Sequence, residues 1–206
     1  MAGEILDPLL RREKRQARDR SEILRERFER LPEKDKSLFR TGSFFLAFNS
    51  SLCGLIADNY LRRALNVTQA RLASTLPMVF LPFASTLVVY EFCISQPLMR
   101  GDLNCATCAS VRGGLIGAFM GCVYPALTAI PLCGSLAARY STAPLPSKEN
   151  MFRYWMAVCK PAYKKLRFAA LLQAALGTYL GTKNYDIYIK MLQLPEAGRD
   201  PEELIE

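Results

Sequence analysis

The chain of 206 residues contains no histidine. Ser-His-Asp and Cys-His arrangements need an imidazole as general base, so they are excluded, as are His-ligated haem and the usual zinc enzymes. Charge is missing too, but only in places. Residues 113–138 carry none, whereas residues 1–40 carry 12 Lys/Arg and 9 Asp/Glu. An uncharged run of that length exceeds the ~20 residues a helix needs to cross a bilayer. No ionisable residue lies at the centre of a clear apolar stretch: Asp58, Arg62, Arg63, Glu91 and Arg139 stand at the ends. A charge at the middle of a membrane helix costs ~2.5–3.5 kcal/mol on insertion scales and is retained mainly for function. Its lack argues against a proton relay or ion pathway. A second C-x-x-C is also absent, which leaves the Cys105–Cys108 pair in "GDLNCATC" two ligands short of a zinc site.

What is present reads as an all-α membrane protein of about four transmembrane helices, with an N-terminal charged, amphipathic helix and a short C-terminal helix. Residues 1–40 form a charged helical arm. They lack the apolar core of a secretory signal and are too acidic for a typical mitochondrial transit peptide. Asp7-Pro8 has the form of an N-cap followed by a first-turn proline, and Leu24, Phe28 and Leu31 share one face. The acids weaken attraction to anionic headgroups, which favours a solvated helix over a docking arm. A four-span domain at 41–194 follows, with spans near 42–61, 72–90, 113–138 and 162–182. The second and third spans are separated by a loop at 91–112. Beyond the fourth, Tyr185, Tyr188, Ile189 and Leu192 recur at 3–4 spacing as a short amphipathic helix stopped by Pro195. An acidic tail at 195–206 ends the chain. Four spans put both termini on one side. The termini and the 91–112 loop together hold 17 Lys/Arg against 10 in the other two loops, whereas the loops alone hold 2 against 10. The first count, which we adopt, places the termini on the inner side of the membrane.

Several patterns could carry function. Gly113, Gly117 and Gly121 form overlapping GxxxG spacings, and Gly177 and Gly181 form another. Small residues four apart let helices approach closely in lipid, where packing replaces the hydrophobic effect. The stripe serves either packing among the chain's own spans or contact with a membrane partner, and alanine at Gly117 is expected to be mild. Pro77, Pro82, Pro125 and Pro131 interrupt spans; such breaks are usually kinks re-satisfied by neighbouring helices, and in transporters they line binding sites. Cys105 and Cys108 are incidental loop residues or a loop disulfide. "NVT" at 66–68 is a glycosylation sequon close to a span end. "LCGLIA" at 52–57 recurs as "LCGSLA" at 132–137, a short internal echo. The net charge of +8 comes from basic residues that flank apolar runs or alternate with acids, and no nucleic-acid motif accompanies it.

The order of "LCGLIA", "RRALNVTQAR", "GDLNCATC", "YPALTAIP", "GSLAARY", "APLPSKEN", "KPAYKKLRF", "LLQAALGTYLG" and "LQLPE" resembles the transmembrane protein 126 family, on the side of its A-type members. The resemblance runs from about Leu31 to Pro195 and leaves the basic arm before Leu31 unmatched. It implies a multi-pass protein of the mitochondrial inner membrane. It implies, too, a non-enzymatic assembly factor for respiratory complex I, acting on newly made subunits of the distal membrane arm together with other assembly factors. No cofactor, catalytic residue or small-molecule substrate comes with it. The alternative class is a small four-span transporter or channel, motivated by the proline-broken spans and the echo.

Overall fold

The computed structural model describes residues 21–142 and 150–194. Every regular element among them is helical. Residues 21–29 form helix α1. Pro32 then stands at the head of α2, Glu33–Ala64, which has Glu33 and Asp35 in its first turn and Arg62 and Arg63 in its last. That distribution complements the helix dipole at both ends. Helix α3, Arg71–Tyr90, runs through a π turn, Glu91–Ser95, into α4, Gln96–Arg100, and stops at Gly101 with φ of 76°. Glycine takes that left-handed conformation without a Cβ penalty. Helix α5, Ala106–Ala118, passes through a second π turn, Phe119–Val123, into α6, Tyr124–Tyr140. Helix α7 is a single run, Met151–Gln193.

Cross-helix hydrogen bonds set the directions. Ser51 reaches Val79 and Ser74 reaches Asp58, so α2 and α3 are antiparallel. Ser50 reaches Met120 and Cys133 reaches Asp58, so the α5–α6 run is parallel to α2. Ser110 meets Thr182 and Cys122 meets Leu166, so α7 returns antiparallel. The result is an up-down-up-down bundle. Two helical runs, Arg71–Arg100 and Ala106–Tyr140, are long and apolar enough to cross a membrane. The outward side chains are apolar on all four members, including Phe44, Phe48 and Ile56 on α2 and Phe168 and Leu171 on α7.

Three expectations are corrected. The separate short C-terminal helix does not exist: α7 continues from the fourth apolar stretch to Gln193. Nothing between Thr182 and Gln193 is proline or glycine, so the helix propagates. At ~1.5 Å per residue α7 is about 65 Å long, roughly twice the ~30 Å hydrocarbon core. Its inward face beyond the bundle is Asn184, Ile187, Tyr188 and Met191, with Leu192 exposed. The 91–112 loop shrinks to residues 101–105, because the π turn lets the helix continue past Glu91. The described part of the arm is not a solvated helix. Leu24, Phe28 and Leu31 are buried in one cluster with Phe39, Tyr90, Ile187, Tyr188 and Met191. The apolar face has a partner in its own chain, and Lys190 meets Asp35 at 2.7 Å alongside it. The Asp7-Pro8 cap, most of "STAPLPSKEN" and the acidic tail lie outside the described residues.

Candidate functional site

The five glycines singled out in the sequence line the contact between α5, its π turn and α7. A side chain at Gly113 would drive into the Gly177 carbonyl, and one at Gly177 into the Gly113 carbonyl. A side chain at Gly117 would meet the Gln173 carbonyl, with Gly177 Cα at 3.3 Å, and one at Gly181 would meet the Ala109 carbonyl. Each glycine thus presents an α-hydrogen to a carbonyl of the opposite helix, the geometry of weak Cα–H···O contacts. Backbone lies on backbone, closer than any side chain allows. This corrects the expected mildness of alanine at Gly117, since even one methyl group collides with main chain there. Gly121 does a different job: it faces a side chain, with Gln173 Nε2 2.7 Å from where a Cβ would stand. Gln173 is buried and donates through Nε2 to the Gly121 carbonyl at 3.4 Å. This amide at bundle depth was not singled out in the sequence. Its signal was a lone glutamine in "LLQAALG", where every neighbour is apolar or small.

The proline-interrupted stretches form a second kind of contact. Pro97 and Pro125 each stand two residues beyond a π turn. A proline supplies no N–H to the carbonyl four residues back, and its ring crowds that carbonyl. The carbonyls concerned are Cys93 and Gly121. Arg112 donates to Cys93 at 3.5 Å, and Gln173 serves Gly121 as described. At the second π turn the Met120 carbonyl accepts from Ser50 Oγ at 3.0 Å, and Thr86 Oγ1 donates to Ser50 Oγ at 2.9 Å. Ser51 Oγ donates to Val79 on α3 at 2.9 Å. Pro82 leaves the Met78 carbonyl without its helical donor, and that carbonyl lies against the α-carbon of Gly54. Ser50 and Ser51, hydroxyls within the first apolar stretch, link it to its broken neighbours.

At the end of α2 the ionisable residues turn inward. Asp58 is 1% and Arg62 5% exposed. Arg62 donates to Ser74 Oγ at 2.6 Å and to the Gln69 carbonyl at 2.9 Å. Ser74 Oγ in turn reaches Asp58 at 3.2 Å, and Cys133 Sγ reaches the other carboxylate oxygen at 3.3 Å. The cluster ties α2, α3 and α6 together where Ala57, Leu61, Cys133 and Ala137 pack, so both copies of the echo meet in one place. Sequence position placed these charges at a span end; their mutual satisfaction required the fold.

Cys105 and Cys108 are exposed free thiols. Cys105 is the N-cap of α5, its sulfur accepting from Cys108 N at 3.3 Å. Hydrogen bonds from the Cys108 thiol and then its backbone N–H hold the Cys105 thiol below its ordinary range.

The pattern of the family described as Transmembrane protein 126 matches residues 18–198. The chain is 49% identical over 174 residues to Transmembrane protein 126A of Mus musculus, covering 84% of this chain and 89% of that one. It is 46% identical over 170 residues to the Homo sapiens protein of the same name, covering 82% and 87%. Similarity extends at 30% identity over 167 residues, 81% of this chain and 72% of the other, to the Mus musculus protein named Complex I assembly factor TMEM126B, mitochondrial. No solved structure matches. The glycine seam, the hydroxyl-served prolines and the Asp58 cluster all lie within the matched residues, and the chain belongs to the transmembrane protein 126 family.

Proposed function

We propose that this protein is a non-enzymatic, four-span assembly factor of the mitochondrial inner membrane that holds newly made distal membrane-arm subunits of respiratory complex I during maturation. The observation that carries the reading is family membership, which includes a relative named as a mitochondrial complex I assembly factor. The outward apolar side chains of α2 and α7 support counting both with the two longer apolar runs as spans. In this reading residues 41–194 form the four-span membrane domain, and the described part of the arm, residues 21–40, stands outside the lipid. Holding a subunit requires surfaces and no chemistry, which agrees with a bundle whose buried polar groups mostly serve one another. The transporter alternative is less well supported, because the Met120 and Gly121 carbonyls already accept hydrogen bonds from Ser50 and Gln173.

The test is affinity purification of the tagged protein from cells pulse-labelled for mitochondrial translation. New membrane-arm subunits should co-purify and the finished enzyme should not contain the protein. Stoichiometric presence in mature complex I, or normal complex I in cells without the protein, would contradict the reading. Specific flux in proteoliposomes would favour the transporter.

A further inference from the structure

Between α2, α6 and the first half of α7 lies a cavity of about 360 Å³, walled by Ala57, Leu61, Val123, Ala126 and Ile130 with Arg167 at its rim. The volume lies in the range of small-ligand sites, ~300–1,000 Å³. We propose that this groove holds one acyl chain of an anionic phospholipid, whose phosphate pairs with Arg167.

Three observations select that occupant. First, Arg167 is exposed and has no ion-pair or hydrogen-bond partner among the described residues, so its charge needs a counter-ion from elsewhere. Second, the depth suits a headgroup. Gln173 lies near the middle of the 162–182 stretch read as the fourth span, and Arg167 lies six residues from it toward the α2 C-terminal end, about 9 Å at ~1.5 Å per residue. An arginine whose stem lies along apolar surface lifts its guanidinium farther outward, toward the edge of a hydrocarbon half-thickness of ~15 Å. The chain would then lie below, among the alanines, and the phosphate at the guanidinium. Third, the surrounding rim is basic. Among the described residues of that end, Arg63, Arg71, Arg139, Arg153, Lys160 and Arg167 are exposed, and Asp58 and Arg62 are buried. The opposite rim is balanced, with six Lys/Arg and five Asp/Glu in residues 21–41. Lys160 is exposed two turns from Arg167 on the same face of α7. The groove exists because α7 leaves α6 here: Trp155 is wedged against Gly134, and Ala57, Ala126 and Ala170 are too small to fill the space.

This inference needs the bundle to sit in a membrane, and it is independent of any role in complex I. It is tested on the full-length protein in detergent, offered equal amounts of phosphatidylglycerol and phosphatidylcholine with the same acyl chains. Native mass spectrometry reads the lipids retained. The wild type should retain phosphatidylglycerol over phosphatidylcholine by about fivefold, the scale expected for one basic residue near an anionic headgroup. Arg167→Gln should bring the ratio close to one and Arg167→Lys should preserve it. Ala126→Phe should lose both lipids by filling the groove. Wild-type protein labelled with photoreactive phosphatidylglycerol, which needs no variant to fold, should be marked within residues 122–130 and 159–170. Absence of headgroup preference in the wild type, an unchanged preference in Arg167→Gln, or labelling elsewhere overturns the proposal. So does an Ala126→Phe variant that keeps its lipids and loses a co-purifying membrane protein, since the groove would then seat a partner helix.

Discussion

The two halves of α7 meet the same neighbouring run in opposite ways. From Gln173 to Gly181 the helix lies on α5 with no side chain between the backbones. From Trp155 to Ala170 it is held off α6 by an indole and leaves a cavity. Both halves are apolar, so hydrophobicity does not distinguish them. Residue size at the contact does: Gly113, Gly117, Gly177 and Gly181 permit approach, whereas Trp155 sets a spacing. That difference decides which half lies directly on its neighbour and which is held apart from it.

The strongest way to break the comparison is to give the closed half a large side chain. Gly117→Leu keeps the span hydrophobic and should still insert. It should lose folded bundle, because the Gln173 backbone cannot yield as a side chain would, and on the proposed function complex I should not recover in deficient cells. If the leucine variant is stable and restores complex I, the backbone contact is not what holds α5 to α7. A smaller effect is expected at the Asp58 cluster, which anchors the far end of α2 independently of α7. Asp58→Ala removes the buried acceptor of Ser74 and Cys133 and leaves those donors unmet, a change that costs about 1–3 kcal/mol. Urea unfolding should show that loss, and Asp58→Asn should show a much smaller one.

Smaller again is Ser50→Ala. It removes the donor to the Met120 carbonyl, and membrane hydrogen bonds of this kind average about 0.6 kcal/mol. A marginal loss of stability in the same assay, well below that of Asp58→Ala, is the expected result. A loss as large as that of Asp58→Ala would show that the π turn depends on Ser50. The smallest effect is expected from changing Cys105 and Cys108 together to serine. Both thiols are exposed, and serine can replace Cys105 as the N-cap acceptor. Accumulation and complex I assembly should be near normal. Maleimide labelling after blocking free thiols should find no disulfide; a disulfide there would make the pair structural.

Much of the bundle was legible because its signals are local. The uncharged run from Gly113, the GxxxG spacings and the apolar face of Leu24, Phe28 and Leu31 can all be read from periodicity. The partners cannot. Leu24 and Phe28 on one face do not reveal that the covering surface is Ile187 and Met191, more than 150 residues away. The same applies to Gln173 and Ser50, polar residues in apolar stretches whose partners, the Gly121 and Met120 carbonyls near Pro125, are visible only in the fold. The end of α7 was misplaced for another reason. The 3–4 spacing of Tyr185, Tyr188, Ile189 and Leu192 fits a separate short helix and a continuation of α7 equally. The segment is one continuous helix leaving the bundle for contact with α1 and Asn104.

The central claim is that backbone-on-backbone contact fixes one half of α7 and side-chain spacing governs the other. The same substitution placed opposite each half tests it directly: Gly117→Ala on α5 against Gly134→Ala on α6, purified in one detergent and unfolded by heat. At Gly134 the new methyl would meet only the outer edge of the Trp155 indole, Cζ2 at 2.9 Å and Cη2 at 3.1 Å, a side chain that can shift. At Gly117 it meets main chain. Overpacking of that kind costs ~1–3 kcal/mol, and each kcal/mol lowers the midpoint by about 2–4 °C in a chain of this size. The account predicts a drop of several degrees for Gly117→Ala and little or none for Gly134→Ala. Equal midpoints, or the reverse order, would contradict it.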